Sequence, residues 1–250
     1  MSSHPMTSQQ FGMLPAYIST REAAQVLGVL FLFTAAVSWL AVGFDYAALR
    51  LTSAVVAGAA VDPVERLAHG MTGRWVSAFQ IVCFAMTGLA FIAWLFRARV
   101  NVRAMGMRRM KYRREWTVAG FLVPVLNIVR PYQVVCEVWK TSDPSTCDPM
   151  GWKNVRTPPL LPAWWITFLL YVTCEILAAT LVGSGAGLRR LRLAYGLELF
   201  GDVSAAVSAS LAYFVVMGIS EAQERKRSLS IRGFARAEAN VYTDRHDAVA

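Results

Sequence analysis

Glu175, Glu198 and Asp202 are the residues of this chain best placed to do chemistry, because each falls in a stretch otherwise apolar enough for lipid. An ionisable group in such surroundings marks a cation or proton site by default, and it stays charged only beside a cation or a basic side chain. Two chemistries are therefore open. The carboxylates bind a cation or proton, or they form structural ion pairs with Arg189, Arg190 or Arg192 in the connection between their two stretches. Glu175 lies seven residues before Val182, while Glu198 and Asp202 lie five and nine residues after Leu193. At 1.5 Å per helical residue these separations are about 10, 8 and 14 Å, so antiparallel neighbours joined by a short loop place Glu175 at a depth between the other two.

A second constellation is Asn127, Arg130 and Glu137 in the segment Trp116–Lys140. Polar residues at a membrane turn suit a membrane enzyme acting on lipid, the weakest of the function classes considered below. No metal chemistry is expected. Cys83, Cys136, Cys147 and Cys174 form no C-x-x-C pair, and His4, His69 and His246 are scattered, so neither a disulfide framework nor a metal-ligand spacing is present. The chain has no Walker, HExxH or GxSxG motif. No cofactor and no catalytic residue is expected, and the protein is read as not an enzyme. Gly183–Gly187 reads as a turn, since no strand precedes it.

The elements that position these residues are four apolar stretches, about 23–44, 75–96, 161–182 and 193–219. Each is long enough to cross a hydrocarbon core roughly 30 Å thick. Apolar residues make up 56% of the chain and charged residues 16%, below the roughly 25% charge of a soluble domain. The expected fold is an all-α integral membrane protein with four transmembrane helices plus one re-entrant or interfacial amphipathic segment. Residues 1–22 form an N-terminal segment, 23–219 the helical membrane domain and 220–250 a basic tail. Met1–Thr20 carry no Lys or Arg, so the first stretch is expected to stay as a helix instead of being cleaved as a signal.

Charge orients the chain. Arg97–Glu115 holds eight Arg and Lys, and both termini inside place 18 basic residues in inner segments against 6 in outer loops. The positive-inside rule selects this topology, a multi-pass protein of the cell membrane with cytoplasmic termini. The net charge of +9 is then explained by anionic lipid headgroups, with no nucleic acid partner. Arg97, Arg99, Arg108, Arg109, Lys111, Arg113 and Arg114 are the expected headgroup contacts.

Trp116–Lys140 does not fit the four-helix scheme. Its apolar part, Thr117–Val129, is 13 residues, about 20 Å as helix and too short to cross. Pro124 interrupts it, and Asn127 and Arg130 suit lipid poorly. After Pro131, Tyr132, Val135, Cys136 and Trp139 fall on one side and Arg130, Gln133, Glu137 and Lys140 on the other, an amphipathic helix with proline in its first turn. A fifth crossing would give 12 basic residues on each side and erase the asymmetry, so a re-entrant or interfacial path is preferred. The outer connection Asp45–Arg74 is expected to carry a short surface helix before Asp62-Pro63. Gly201, Ser204, Ala205, Ser208 and Ala209 form a small-residue stripe suited to close intramolecular packing.

Trp94, Arg97, Arg99 and Asn101, followed by Trp116, Pro124, Asn127, Pro131, Glu137 and Trp139, are spaced as in a bacterial membrane family. The chain resembles the family catalogued as domain of unknown function 4328 over roughly fifty residues, with Ile219, Gln223 and Arg225 fitting more loosely. The resemblance implies a multi-helix bacterial membrane protein and carries no catalytic residues over. The leading expectation is a non-enzymatic scaffold or regulatory membrane component with a basic cytoplasmic face. Its partners would be the bilayer, anionic headgroups and another membrane or cytoplasmic protein. The alternative is a small transporter or channel using the intramembrane acids.

Overall fold

Long runs of Ala, Leu, Val and Phe, broken only at proline- and glycine-marked turns, set the architecture. The computed structural model describes residues 17–105, 107, 110–112, 117, 124–146, 151–183 and 187–247. These fold as α1 (Arg21–Val56), α2 (Pro63–Ala104), α3 (Pro124–Asn127), α4 (Arg130–Ser142), a 3-10 turn (Gly151–Asn154), α5 (Leu160–Gly183) and α6 (Leu188–Asp247). No strand occurs among the described residues. α1, α2, α5 and α6 are long and apolar enough to cross a membrane.

The helix boundaries follow local chemistry. α1 ends in a turn where Gly58 takes φ +88°, a conformation glycine adopts without a Cβ penalty. Asp62 then caps α2, its Oδ1 accepting from the Val64 N–H at 2.8 Å with Pro63 between them. Pro158 and Pro159 stand just before α5.

The chain divides into two compact units. One comprises Gln25–Ile92 and Pro158–Val216. Its core holds Leu27, Ala35, Phe91, Trp164 and the small residues Ala205, Ala206 and Ala209. Phe84 stacks on Tyr171 with centroids 4.7 Å apart, and Phe91 tilts against Trp164 at 5.7 Å. The small-residue stripe is buried and packs internally: a Cβ on Gly201 would lie 3.1 Å from Cys174 Cβ. Interhelical hydrogen bonds join Thr34 to Thr87 at 2.9 Å and Ser208 Oγ to the Trp164 carbonyl at 3.4 Å. Large apolar side chains point outward instead, among them Val29, Trp39, Trp75, Ile81, Leu89, Ile176, Phe200 and Phe214.

The other unit comprises Met1–Ala24, Ala93–Thr157 and Met217–Ala250. Its core is Trp94, Leu95, Ala98 and Val102 of α2, Val134, Val135 and Val138 of α4, and Ile219 and Gln223 of α6.

Three details differ from the sequence reading. α1 continues past Phe44 to Val56, so Asp45 is helical and the short surface helix is the last part of α1. α6 continues past Ile219 to Asp247, so residues of the expected tail, Gln223 and Lys226 among them, are buried core. α4 buries Pro131, Val134, Val135, Glu137, Val138, Thr141 and Ser142, while Tyr132, Cys136 and Trp139 are only half-buried. The inward face is rotated because Glu137 finds a buried partner, which removes the reason to keep it outward. Residues 118–123 lie outside the described residues, and with them the path by which Trp116–Lys140 would re-enter.

Gly218 of α6 sits under the Trp139 indole, and a Cβ there would approach the ring to 2.9 Å. Gly218→Ala is therefore expected to destabilise the protein by about 1–3 kcal/mol through overpacking. Gly88→Ala, where nothing lies within 4 Å, should leave stability equal or gain up to about 1 kcal/mol from helix propensity. Thermal unfolding in detergent, comparing the two variants, measures the difference.

Candidate functional site

Polar side chains gather at two places, one in each unit. In the unit containing α4, Arg99 and Glu137 are 2% and 3% exposed, and Arg99 Nη1 donates to Glu137 Oε2 at 3.0 Å. The other carboxylate oxygen, Oε1, accepts the backbone N–H of Lys111. Glu137 is thus neutralised by a guanidinium and bonded to the basic loop, while Arg99 Nη2 and Thr117 Oγ1 are buried without a hydrogen-bond partner. Gln223 Nε2 donates to the Ala98 carbonyl at 2.8 Å and to Ser142 Oγ at 3.1 Å. Asn101 Nδ2 donates to the Ile18 carbonyl at 2.7 Å, and the Ile18 N–H returns a bond to Asn101 Oδ1 at 3.2 Å. Trp94 Nε1 donates to Ser220 Oγ at 3.2 Å. Lys226 is buried, its Nζ donating to the Thr141 carbonyl at 2.8 Å and to Thr146 Oγ1 at 3.1 Å. These bonds tie α2, α4, α6 and the residues before α1 together.

Beside this network lies a cavity of about 250 Å³ lined by Lys111, Tyr112, Tyr132, Gln133, Cys136, Glu137, Lys140, Trp152 and Thr157. Burial, with a hydrogen bond to Cys136, pushes the Tyr132 phenol up to about 12. Burial also raises the Cys136 thiol, against the pull of Tyr132 and of the Lys140 charge. Tyr17, held by a 3.0 Å bond to Glu224 with Arg227 over its ring, is likewise raised by burial and by that carboxylate.

In the other unit the structure brings Glu175, Glu198 and Asp202 within electrostatic range of one another. It adds two residues the sequence reading missed. Gln80 Nε2 donates to Asp202 Oδ1 at 2.5 Å and to Ser38 Oγ at 3.3 Å. The Asp45 carboxyl meets that of Asp202, and its Oδ2 is buried with no donor aimed at it. Two carboxyl groups in hydrogen-bond contact require a proton or a cation between them. Asp45, Ala48, Thr52 and Val55 share one face of α1, and Leu188, Leu191, Tyr195, Glu198 and Asp202 share one of α6. A cavity of about 450 Å³ lies on those two faces, lined by Thr52, Val55, His69, Leu191 and Tyr195 among others. Arg189, Arg190 and Arg192 are exposed. The signal for Asp45 was continued helical periodicity beyond Phe44, a face shared with Thr52.

The remaining predicted residues divide. Arg99, expected among the headgroup contacts, is 2% exposed and paired with Glu137. Arg97 and Lys111 are exposed. Pro131 is buried, Asn127 half-buried, and Arg130 bonds Gln133 Oε1 at 3.2 Å with its guanidinium 5.2 Å from the Tyr112 ring centre. Pro124 opens α3. Trp116, Arg108, Arg109, Arg113 and Arg114 lie outside the described residues. Among the described residues no group of His, Cys, Asp and Glu has metal-site geometry.

The family described as domain of unknown function (DUF4328) matches residues 57–221. No curated protein and no solved structure matches the chain.

Removing one partner of a buried ion pair leaves an uncompensated charge and typically costs about 3–5 kcal/mol. Arg99→Met is therefore expected to lower stability by about that amount, whereas Arg99→Met combined with Glu137→Leu should recover most of it. Chemical unfolding of the three proteins in detergent checks this. A single variant as stable as the double would mean that the pair does not organise the fold.

Proposed function

The chain belongs to the DUF4328 family, and we propose that it is a non-enzymatic, multi-pass component of a bacterial cell membrane, a scaffold or regulator with both termini and its basic face in the cytoplasm. The observation that carries this reading is how the family-pattern residues are used. Arg99, Asn101, Glu137 and Gln223 are buried on one another or on backbone carbonyls, and Trp94 on the Ser220 hydroxyl, which supports a shape-holding role over a reactive one. The outward apolar side chains of the four long helices suit lipid, because a soluble chain of this size rarely exposes such a surface. The basic residues left exposed, Arg97 and Lys111 among them, suit anionic headgroups at about 1 kcal/mol each.

A second reading, a small cation or proton transporter, is favoured by the contact of Asp45 with Asp202 on the two helix faces that also line a cavity. Liposome flux separates the two. The scaffold reading expects flux no greater than empty liposomes under a proton or potassium gradient. Flux that Asp45→Asn or Asp202→Asn abolishes, with the fold intact, would replace it by the transport reading.

The topology has its own test. Alkaline phosphatase fused after Ala60 is expected to be active and after Asn240 inactive, because the enzyme folds only outside the cytoplasm. Activity at Asn240 would overturn the four-crossing arrangement.

A further inference from the structure

We propose that the 250 Å³ cavity beside α4 is a binding subsite for a phosphate-bearing anion, with Lys111 and Lys140 as its charged partners. The inference rests on the membrane-component reading and deepens it, by turning a general basic face into one defined pocket.

The electrostatics come first. Among the described residues, three charged side chains line the cavity, Lys111, Lys140 and Glu137. Glu137 contributes little negative field there. One of its oxygens is bonded to Arg99 and the other to the Lys111 backbone N–H. The pocket is therefore cationic by two ammonium groups, with no unsatisfied carboxylate among its described lining residues. Trp152, a buried residue, forms part of the apolar wall.

The hydrogen-bonding inventory points the same way. Gln133 has its Oε1 occupied by Arg130 at 3.2 Å, so its amide N–H groups are what it has left to offer a ligand. Tyr112, Trp152 and Thr157, also on the lining, carry an O–H, an N–H and an O–H. The described lining is thus rich in donors, and the one carboxylate among the described lining residues is already satisfied, which matches an anion with several acceptor oxygens. Lys111 Nζ lies 5.5 Å from the Tyr112 ring centre, a contact that holds the ammonium near the pocket at little energetic cost.

Pockets for drug-sized ligands hold roughly 300–1,000 Å³, so an open depression of about 250 Å³ suits a small anion such as a phosphate with a small polar substituent. Two sources carry that chemistry, the glycerophosphate of an anionic lipid headgroup and a soluble phosphate ester.

Cys136 lines the cavity and reports occupancy. The full-length protein carrying Cys83→Ala, Cys147→Ser and Cys174→Ala is reconstituted into nanodiscs, and the rate of Cys136 alkylation is followed. Glycerol 3-phosphate added to phosphatidylcholine nanodiscs tests the soluble source, and phosphatidic acid in the nanodisc tests the headgroup. Slower alkylation in either arm supports the subsite and names its source. Lys111→Gln and Lys140→Gln should each weaken the protection about fivefold, while Lys153→Gln, at an exposed lysine outside the lining, should not. Unchanged alkylation in both arms, or protection that survives both lysine substitutions, would overturn the subsite. In that event, continued co-sedimentation with phosphatidic acid vesicles would leave the membrane-component reading standing.

Discussion

The buried pair of Arg99 and Glu137 is the interaction on which the rest of its unit depends. A carboxylate and a guanidinium removed from water each cost several kcal/mol, and their attraction offsets that only when geometry and additional hydrogen bonds are right. Here the 3.0 Å contact and the Lys111 backbone N–H satisfy the carboxylate. The pair therefore constrains three things at once: the position of α2 at Arg99, the rotation of α4, and the basic loop at Lys111. Gln223, Asn101 and Lys226 add bonds to backbone carbonyls around it, so the same side chains that exclude water also set helix positions. The network is not fully satisfied, since Arg99 Nη2 and Thr117 Oγ1 stay buried without a partner, so the pair rests on the remaining bonds around it.

The other unit uses polar groups differently. Thr34 bonds Thr87 at 2.9 Å and Gln80 bonds Ser38 at 3.3 Å between helices of an otherwise apolar bundle, and small or hydroxyl side chains of this kind hold apolar helices together. Glu175, Glu198, Asp202 and Asp45 stand apart from that pattern. Gln80 gives Asp202 one donor, but a single amide does not neutralise four acids. Charge balance there is the feature that the transport reading addresses and the scaffold reading leaves to protons or cations.

The pocket at α4 follows from the first constraint. Because Glu137 is turned inward onto Arg99, Lys140 and Lys111 are left facing a cavity whose acid is already committed. Had Glu137 stayed on the outer face with Lys140, the two charges would have been positioned to offset each other, and no net cationic pocket would remain.

Much of the fold was legible in the chain itself, because its signals are local. Four stretches of helix-forming apolar residues, a cap at Asp62-Pro63, the Pro158-Pro159 start of α5 and the proline in the first turn of α4 each act within a few residues. Spacing also set Glu175 against Glu198 and Asp202, since a short connection forces antiparallel neighbours. What tertiary structure alone decided is which charge meets which. Arg99 reads as one more basic residue of a lipid-facing loop until Glu137, 38 residues on, takes it inward. Gln80 meets Asp202 across 122 residues, and Asp45 joins them because α1 does not stop at Phe44. Periodicity along one helix reports a polar face but not its rotation, because rotation is set by the partner that makes burial of a charge affordable, and that partner lies on another helix.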